Sequence, residues 1–165
     1  MVTIAQERPD TPDAIALVTE LETYLSTLYP PESRHGFSVA ALVAQGVDFF
    51  VARQAGRAAG CAGVLCVGRD YAEVKRMYVR PAYRGQGIGR HLLQRLEAHA
   101  VARDIRALRL EMGIAQPEAQ RLYERFGFRP IPPFGPYTFD PLCLYYEKRL
   151  DDAPAGNARG GAAGR

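Results

Sequence analysis

The chain contains no tryptophan and only three cysteines in 165 residues, Cys61, Cys66 and Cys143. They form neither a C-x-x-C pair nor an even set, so the sequence offers neither a disulfide framework nor a cysteine zinc ribbon. A free thiol in an apolar, strand-like run behaves as a small hydrophobe. No His/Cys/Asp group has metal-ligand spacing, and no metal is expected. Long apolar runs are also missing. None approaches the roughly 20 residues a bilayer-spanning helix needs, and no basic stretch leads into an apolar segment as in a signal peptide. A cytoplasmic protein with no membrane partner is the expectation. The chain has no solid block of Lys and Arg either. Its net charge of +3 is spread along the sequence with little aromatic interleaving, which suits a small anionic ligand and gives no reason to expect a nucleic acid.

What is present fits one domain over residues 1–150, with a Gly/Ala-rich tail at 151–165 expected to be disordered. Residues 11–30 read as a helix capped by Thr11 or Asp10, with Pro12 in its first turn and Ile15, Leu17, Val18, Leu21 and Leu25 on one stripe. A polar connection leads to a short helix over 38–46. Strands follow at 47–54, 57–68 and 72–80, the first two joined by a turn at Ala55-Gly56. An amphipathic helix is expected over 86–103, a strand over 105–113, a helix over 116–128 and a last strand over 141–150. His91 and His99 read as surface residues of the long helix. Interleaved helices and short strand-to-strand turns predict an α/β chain with a mixed sheet covered on both faces.

Three glycines within five positions stand out, in "YVRPAYRGQGIGRHLL". The stretch fails as a dinucleotide fingerprint, because the third glycine position holds Arg90, and it fails as a Walker loop, because no Gly-Lys-Ser/Thr is present. What remains is a turn between a strand and a helix, at the positive end of the helix dipole, flanked by Arg84 and Arg90. Such a turn can close its amides around a phosphate.

Arg84-Gly85-Gln86-Gly87-Ile88-Gly89 resembles the acyl-CoA pyrophosphate loop of the GNAT superfamily of N-acyltransferases. The stretch 116–128, "QPEAQRLYERFGF", is similar to a later helix of that family, with Gln116 standing where Asn is usual. The resemblance covers about residues 49–150. It implies a splayed mixed sheet holding acetyl-CoA in its gap, the pyrophosphate on Arg84 through Arg90, the pantetheine along Met77, Tyr78 and Val79, and Gln116 beside the cofactor. It also implies an acetyltransferase with Tyr123 as general acid, and Glu73 resembles the family's commonest base position.

Chemistry sets the remaining demands. A Lys-like amine with a pKa near 10.4 costs about 4.6 kcal/mol to deprotonate at pH 7, so a base is wanted. Glu73 and Glu111 are the two candidates, each with a plainer reading: Glu73 as a surface carboxylate, Glu111 as the ion-pair partner of Lys75, Arg106 or Arg109. The oxyanion needs a donor, for which an amide near Val79 serves. The acceptor pocket is expected from the early helices and residues 134–141. There Arg34 and His35 could hold a carboxylate of a small-molecule amine acceptor. A peptide or protein amine, or an acyl-CoA sensor without turnover, are the alternatives. A last strand pairing across a two-fold axis would make a homodimer.

Overall fold

The computed structural model describes residues 1–151, so all but the first residue of the expected tail lies outside the described residues. The elements are β1 (Val2–Glu7), α1 (Pro12–Ser26), α2 (Val39–Ala44), β2 (Asp48–Gln54), β3 (Arg57–Val67), β4 (Tyr71–Val79), α3 (Ile88–Val101), β5 (Ala107–Gly113), α4 (Pro117–Phe126), β6 (Arg129–Pro130) and β7 (Cys143–Arg149). Local chemistry sets their ends. The Thr11 hydroxyl accepts from the Ala14 amide and Pro12 opens α1, which satisfies one of the donors a helix start leaves free. Ser38 caps α2 in the same way. At the other end of the chain, Gly127 closes α4 at φ 109°, in the left-handed region a C-terminal glycine favours.

The seven strands form one sheet in the order β1-β2-β3-β4-β5-β7-β6. β1 to β4 form an antiparallel meander, β4 and β5 are parallel, and β7 pairs antiparallel with β5. The sequence reading missed β1 and β6. β1 is a half-exposed edge strand with only Val2 and Ile4 as apolar anchors, too sparse a pattern to read from six residues. Helices cover both faces, as expected. On one, α3 and α4 lay Ile88, Leu92, Leu93, Leu96 and Phe126 against Val74, Leu108 and Leu110. On the other, α1 and α2 bury Leu17, Leu21 and Leu42 against Phe49, Val51 and Cys61. Each fully buried side chain of this size contributes about 1.5–3 kcal/mol.

Two irregularities open the sheet. Between Cys61 and Gly63 the β3–β4 register shifts, and Arg76 sits in β4 at φ 55°. That is a bulge, which adds a residue to one strand and bends it. Next to it, β4 and β5 pair at only two positions, Ala72–Leu108 and Glu73–Arg109. Beyond them the strands part, and the gap between them is the mouth of a cleft.

Two further expectations, the surface position of His99 and the pairing of the last strand, meet the structure here. His99 is not a surface residue: it is 4% exposed, with Nε2 2.8 Å from Asp48 and Nδ1 3.0 Å from Arg103 Nη1. A guanidinium can only donate, so Nδ1 accepts and the proton lies on Nε2, towards Asp48. The outer edge of β7, which could have paired across a two-fold axis, is taken up by β6 at Tyr146 and Glu147. Among the described residues, no helix is long and apolar enough to cross a membrane.

Candidate active site

The cleft between β4 and β5 has a volume of about 730 Å³, within the range of small-molecule and cofactor sites. Its outer end is the glycine-rich turn. Gly85 and Gly87 adopt φ 76° and 79°, and no atom lies within 4 Å of where a Cβ would stand on either. Gly87 is the N-cap of α3, so the turn presents the helix's first amides to an open, exposed surface. Such a terminus attracts phosphate. Arg84, Gly85, Gly87, Ile88, Gly89 and Arg90 all line the cleft; Gln86 is exposed and does not. Arg84 is tied back by its Nε to the Val79 carbonyl at 2.9 Å. Gly89 has a packing reason to be glycine: a Cβ there would meet Leu122 of α4 at 2.9 Å.

A valine at Gly87 would be strained at φ 79°, at a cost of about 1–3 kcal/mol, and would set a branched side chain over the exposed amides at the start of α3. Gly87→Val is therefore expected to weaken acetyl-CoA binding by more than about tenfold with a modest fall in melting temperature. Calorimetric titration checks it, and normal affinity in the folded variant would refute the assignment of the loop.

Met77, Tyr78 and Val79 follow the bulge in β4 and line the middle of the cleft. The Tyr78 ring belongs to the α1-side core, which leaves its backbone for any cofactor contact. Across the gap, Gln116 caps α4. Its Oε1 accepts from the Tyr29 hydroxyl at 3.2 Å, and that hydroxyl accepts from the Ala115 amide at 3.0 Å. The Tyr29 ring lies so close over Gly113 that a Cβ there would be 1.9 Å away, so β5 must end in glycine for Tyr29 to cross it.

The two candidate bases differ sharply. Glu73 is buried inside β4, contrary to its reading as a surface carboxylate. Its Oε2 accepts from the Tyr137 hydroxyl at 2.5 Å and lies 3.1 Å from Lys75 Nζ. Burial and that carboxylate push the Tyr137 hydroxyl well above its ordinary pKa. Glu73 is thus committed to a closed network. Glu111 lines the same cleft, but none of the cations expected to pair with it does so. Lys75 pairs with Glu73, and Arg109 with Glu147 at 2.7 Å. Burial raises the Glu111 carboxyl, against lowering by the Cys143 thiol, His35 and Lys75.

Tyr123 projects from α4 into the cleft wall, packed edge-to-face with Phe128. Burial raises its hydroxyl far above the usual value, with Glu111 adding a smaller push in the same direction. No hydrogen-bond partner for that hydroxyl occurs among the described residues. Arg34 and His35 also line the cleft. His35 packs edge-on to Tyr137 and gives its carbonyl to Lys75. Its ring also approaches Asp140 and Cys143, the three donor atoms lying within 4.8 Å of one another. Residues so far apart in the chain show no ligand spacing in the sequence. Asp140 already accepts from the Leu142 amide and the Ser33 hydroxyl.

Sequence reasoning missed Lys75 and Arg76, which line the cleft, and the two residues that hold lining side chains from behind: Glu22, which accepts from Arg76, and Tyr137, which donates to Glu73. A signal existed for Lys75, because Glu73 and Lys75 stand two apart on one strand and so share a face. Arg76 left none, since a bulge cannot be read from "EVKRMYV".

Residues 45–130 match the family model of the acetyltransferase (GNAT) domain. A protein from Azospirillum brasilense named IAA acetyltransferase is 44% identical over 151 residues, 90% of this chain and 98% of that one. A crystal structure from Klebsiella pneumoniae, of a protein assigned as an acyl-CoA N-acyltransferase, superposes with a TM-score of 0.77 at 36% identity, covering 91% of this chain and 98% of that one. The PaiA N-acetyltransferase of Thermoplasma acidophilum, solved with coenzyme A, shares the fold at 20% identity, with a TM-score of 0.68 over 90% of this chain and 99% of that one. The glycine turn, the parted strands and these relatives agree, and the chain belongs to the GNAT family of N-acetyltransferases.

Proposed function

We propose that this enzyme moves the acetyl group of acetyl-CoA to the primary amine of a small molecule by direct attack on the thioester, with Glu111 as general base and Tyr123 as general acid. One observation supports this most: Glu111 and Tyr123 face a single cleft, and among the described residues Glu111 has no ion-pair partner and the Tyr123 hydroxyl no hydrogen-bond partner. A relative named for acetylation of IAA favours a small acceptor.

The amine nitrogen attacks the thioester carbon and loses a proton, which Glu111 accepts directly or through water. Raising the carboxyl pKa narrows its gap to the amine, so desolvation makes Glu111 a better base than a surface glutamate. An amide of the bulged strand near Val79 faces the developing oxyanion. As the C–S bond breaks, the CoA thiolate takes the Tyr123 proton. On reference values, near 10 for Tyr and 8.5 for a thiol, that transfer is uphill by about 2 kcal/mol. Burial raises the Tyr123 hydroxyl, and a thiolate leaving into the same dry wall is raised for the same reason, so the transfer stays within reach. Proton return from Glu111 to Tyr123 through solvent resets the site. Glu73 takes the part of a positioning residue, holding Lys75 and Tyr137 behind the acceptor end.

The test is thiol release from acetyl-CoA against a panel of amino acids, polyamines, aminoglycosides and peptides. Turnover confined to one small-molecule class is the expected result. Turnover with peptides alone would overturn the small-molecule assignment, and saturable acetyl-CoA binding with no turnover on any acceptor would favour a sensor.

A further inference from the structure

Most partly or fully buried cations of this protein have carboxylates of their own. Lys75 has Glu73, Arg80 has Glu20, Arg109 has Glu147, and Arg53 has both Glu7 and Asp13. Arg34 and Arg76 break the pattern. They share one carboxylate: Glu22 takes Arg34 Nη1 on Oε1 and Arg76 Nη2 on Oε2, each at 2.7 Å.

Arg76 is held with unusual firmness. It occupies the bulge of β4 at φ 55°, its side chain is 4% exposed, and its Nε donates to the Phe37 carbonyl at 2.7 Å. Gly36 lies flat against the guanidinium, where any Cβ would come within 2.4 Å of it. Two segments, α1 and the loop at 36–37, therefore fix one side chain that its own strand already holds in a bulge. After all these contacts, two donors remain unused. Among the described residues, Arg34 Nε and Arg76 Nη1 are buried and have no hydrogen-bond partner. Two guanidinium charges against one carboxylate, with two orphan donors, form an incomplete set, because buried charges and buried donors are costly unless matched. Both arginines line the same cleft as Glu111 and Tyr123.

We infer that a carboxylate of the acceptor completes this set, entering the cleft that both arginines line, where a small side-chain adjustment brings Arg34 Nε and Arg76 Nη1 into its reach. The acceptor class is then an amino acid or a similar small molecule that bears both an amine and a carboxylate. His35, expected to share this task with Arg34, lines the same cleft with its ring edge-on to Tyr137; the unused buried donors belong to Arg34 and Arg76. The inference rests on the acetyltransferase reading for the amine, but the carboxylate subsite can be tested without turnover.

N-acetylated amino acids with small, aliphatic, aromatic, acidic and basic side chains would be titrated calorimetrically into the protein, each beside its carboxamide. The two members of a pair differ only in the charge that Arg34 and Arg76 would meet. At least one acid is expected to bind about ten- to a hundredfold tighter than its amide, and Arg34→Gln is expected to erase that preference. Arg34 is the variant of choice because Arg76 is buried enough that its replacement could unfold β4. A folded Arg34→Gln protein that still binds acetyl-CoA but treats acid and amide alike would support the subsite. Equal binding of acids and amides to the unaltered protein would overturn it, as would no binding of any acid. In either of those cases, intact acetyl-CoA turnover on amines that lack a carboxylate would leave the acetyltransferase reading standing.

Discussion

Glu111→Gln is expected to lower kcat/KM at pH 7 by about 10²- to 10⁴-fold, the range for loss of a general base, without changing acetyl-CoA affinity. The deficit should narrow as pH rises towards about 10, where an acceptor amine begins to shed its own proton. The acid side of the profile carries a second signature. Burial raises the Glu111 carboxyl, and only the carboxylate can accept a proton. Activity of the unaltered enzyme should therefore begin to fall, on acidification, at a pH above the ordinary glutamate value of about 4.3. In Glu111→Gln that limb should be lost. Glu73→Gln is the companion. It removes the partner of a buried Lys75 and should lower the melting temperature more than it alters the pH profile. The reverse pattern, with Glu111→Gln active and Glu73→Gln inactive and folded, would make Glu73 the base.

The other large effect falls on Tyr123. Tyr123→Phe should cut kcat by about 10²-fold or more while leaving acetyl-CoA affinity unchanged. The variant is clean for a structural reason. The hydroxyl has no protein partner among the described residues, so its removal orphans nothing, and the phenyl ring keeps its edge-to-face contact with Phe128. The melting temperature should hold or rise slightly. Unchanged turnover would remove Tyr123 from the mechanism, and solvent would then have to protonate the thiolate.

The sequence already carries much of this arrangement, and the reason lies in the range of the interactions. Capping at Thr11, the stripe of α3 and the glycine turn are local patterns, and the elements they predict lie within a few residues of those observed. Fifteen of the sixteen residues singled out by position or resemblance line one cleft, with Gln86 the exception. What stays hidden is made by distant pairings. Glu22, Gly36 and Arg76 come together from α1, a connecting loop and a bulge; nothing in their spacing announces it. His99 reads as polar surface because its Asp48 partner is 51 residues away. The choice between Glu73 and Glu111 depends on which carboxylate is already tied up: Lys75 stands two residues from Glu73, but the tyrosine that closes the network on it is 64 residues away.

The two-position seam between β4 and β5 has a consequence for isotope exchange. A ladder of two paired residues cannot shield the amides beyond it, whereas β2 and β3 are paired along nearly their whole length. In the free enzyme, deuterium should enter the facing edges of Met77–Val79 and Leu110–Gly113 well before it enters the β2–β3 ladder. A cofactor lying in the gap would act as a missing strand, and exchange along those edges should slow when acetyl-CoA is added. Deuterium uptake at the seam would then report occupancy of the cleft residue by residue, before any acceptor is known.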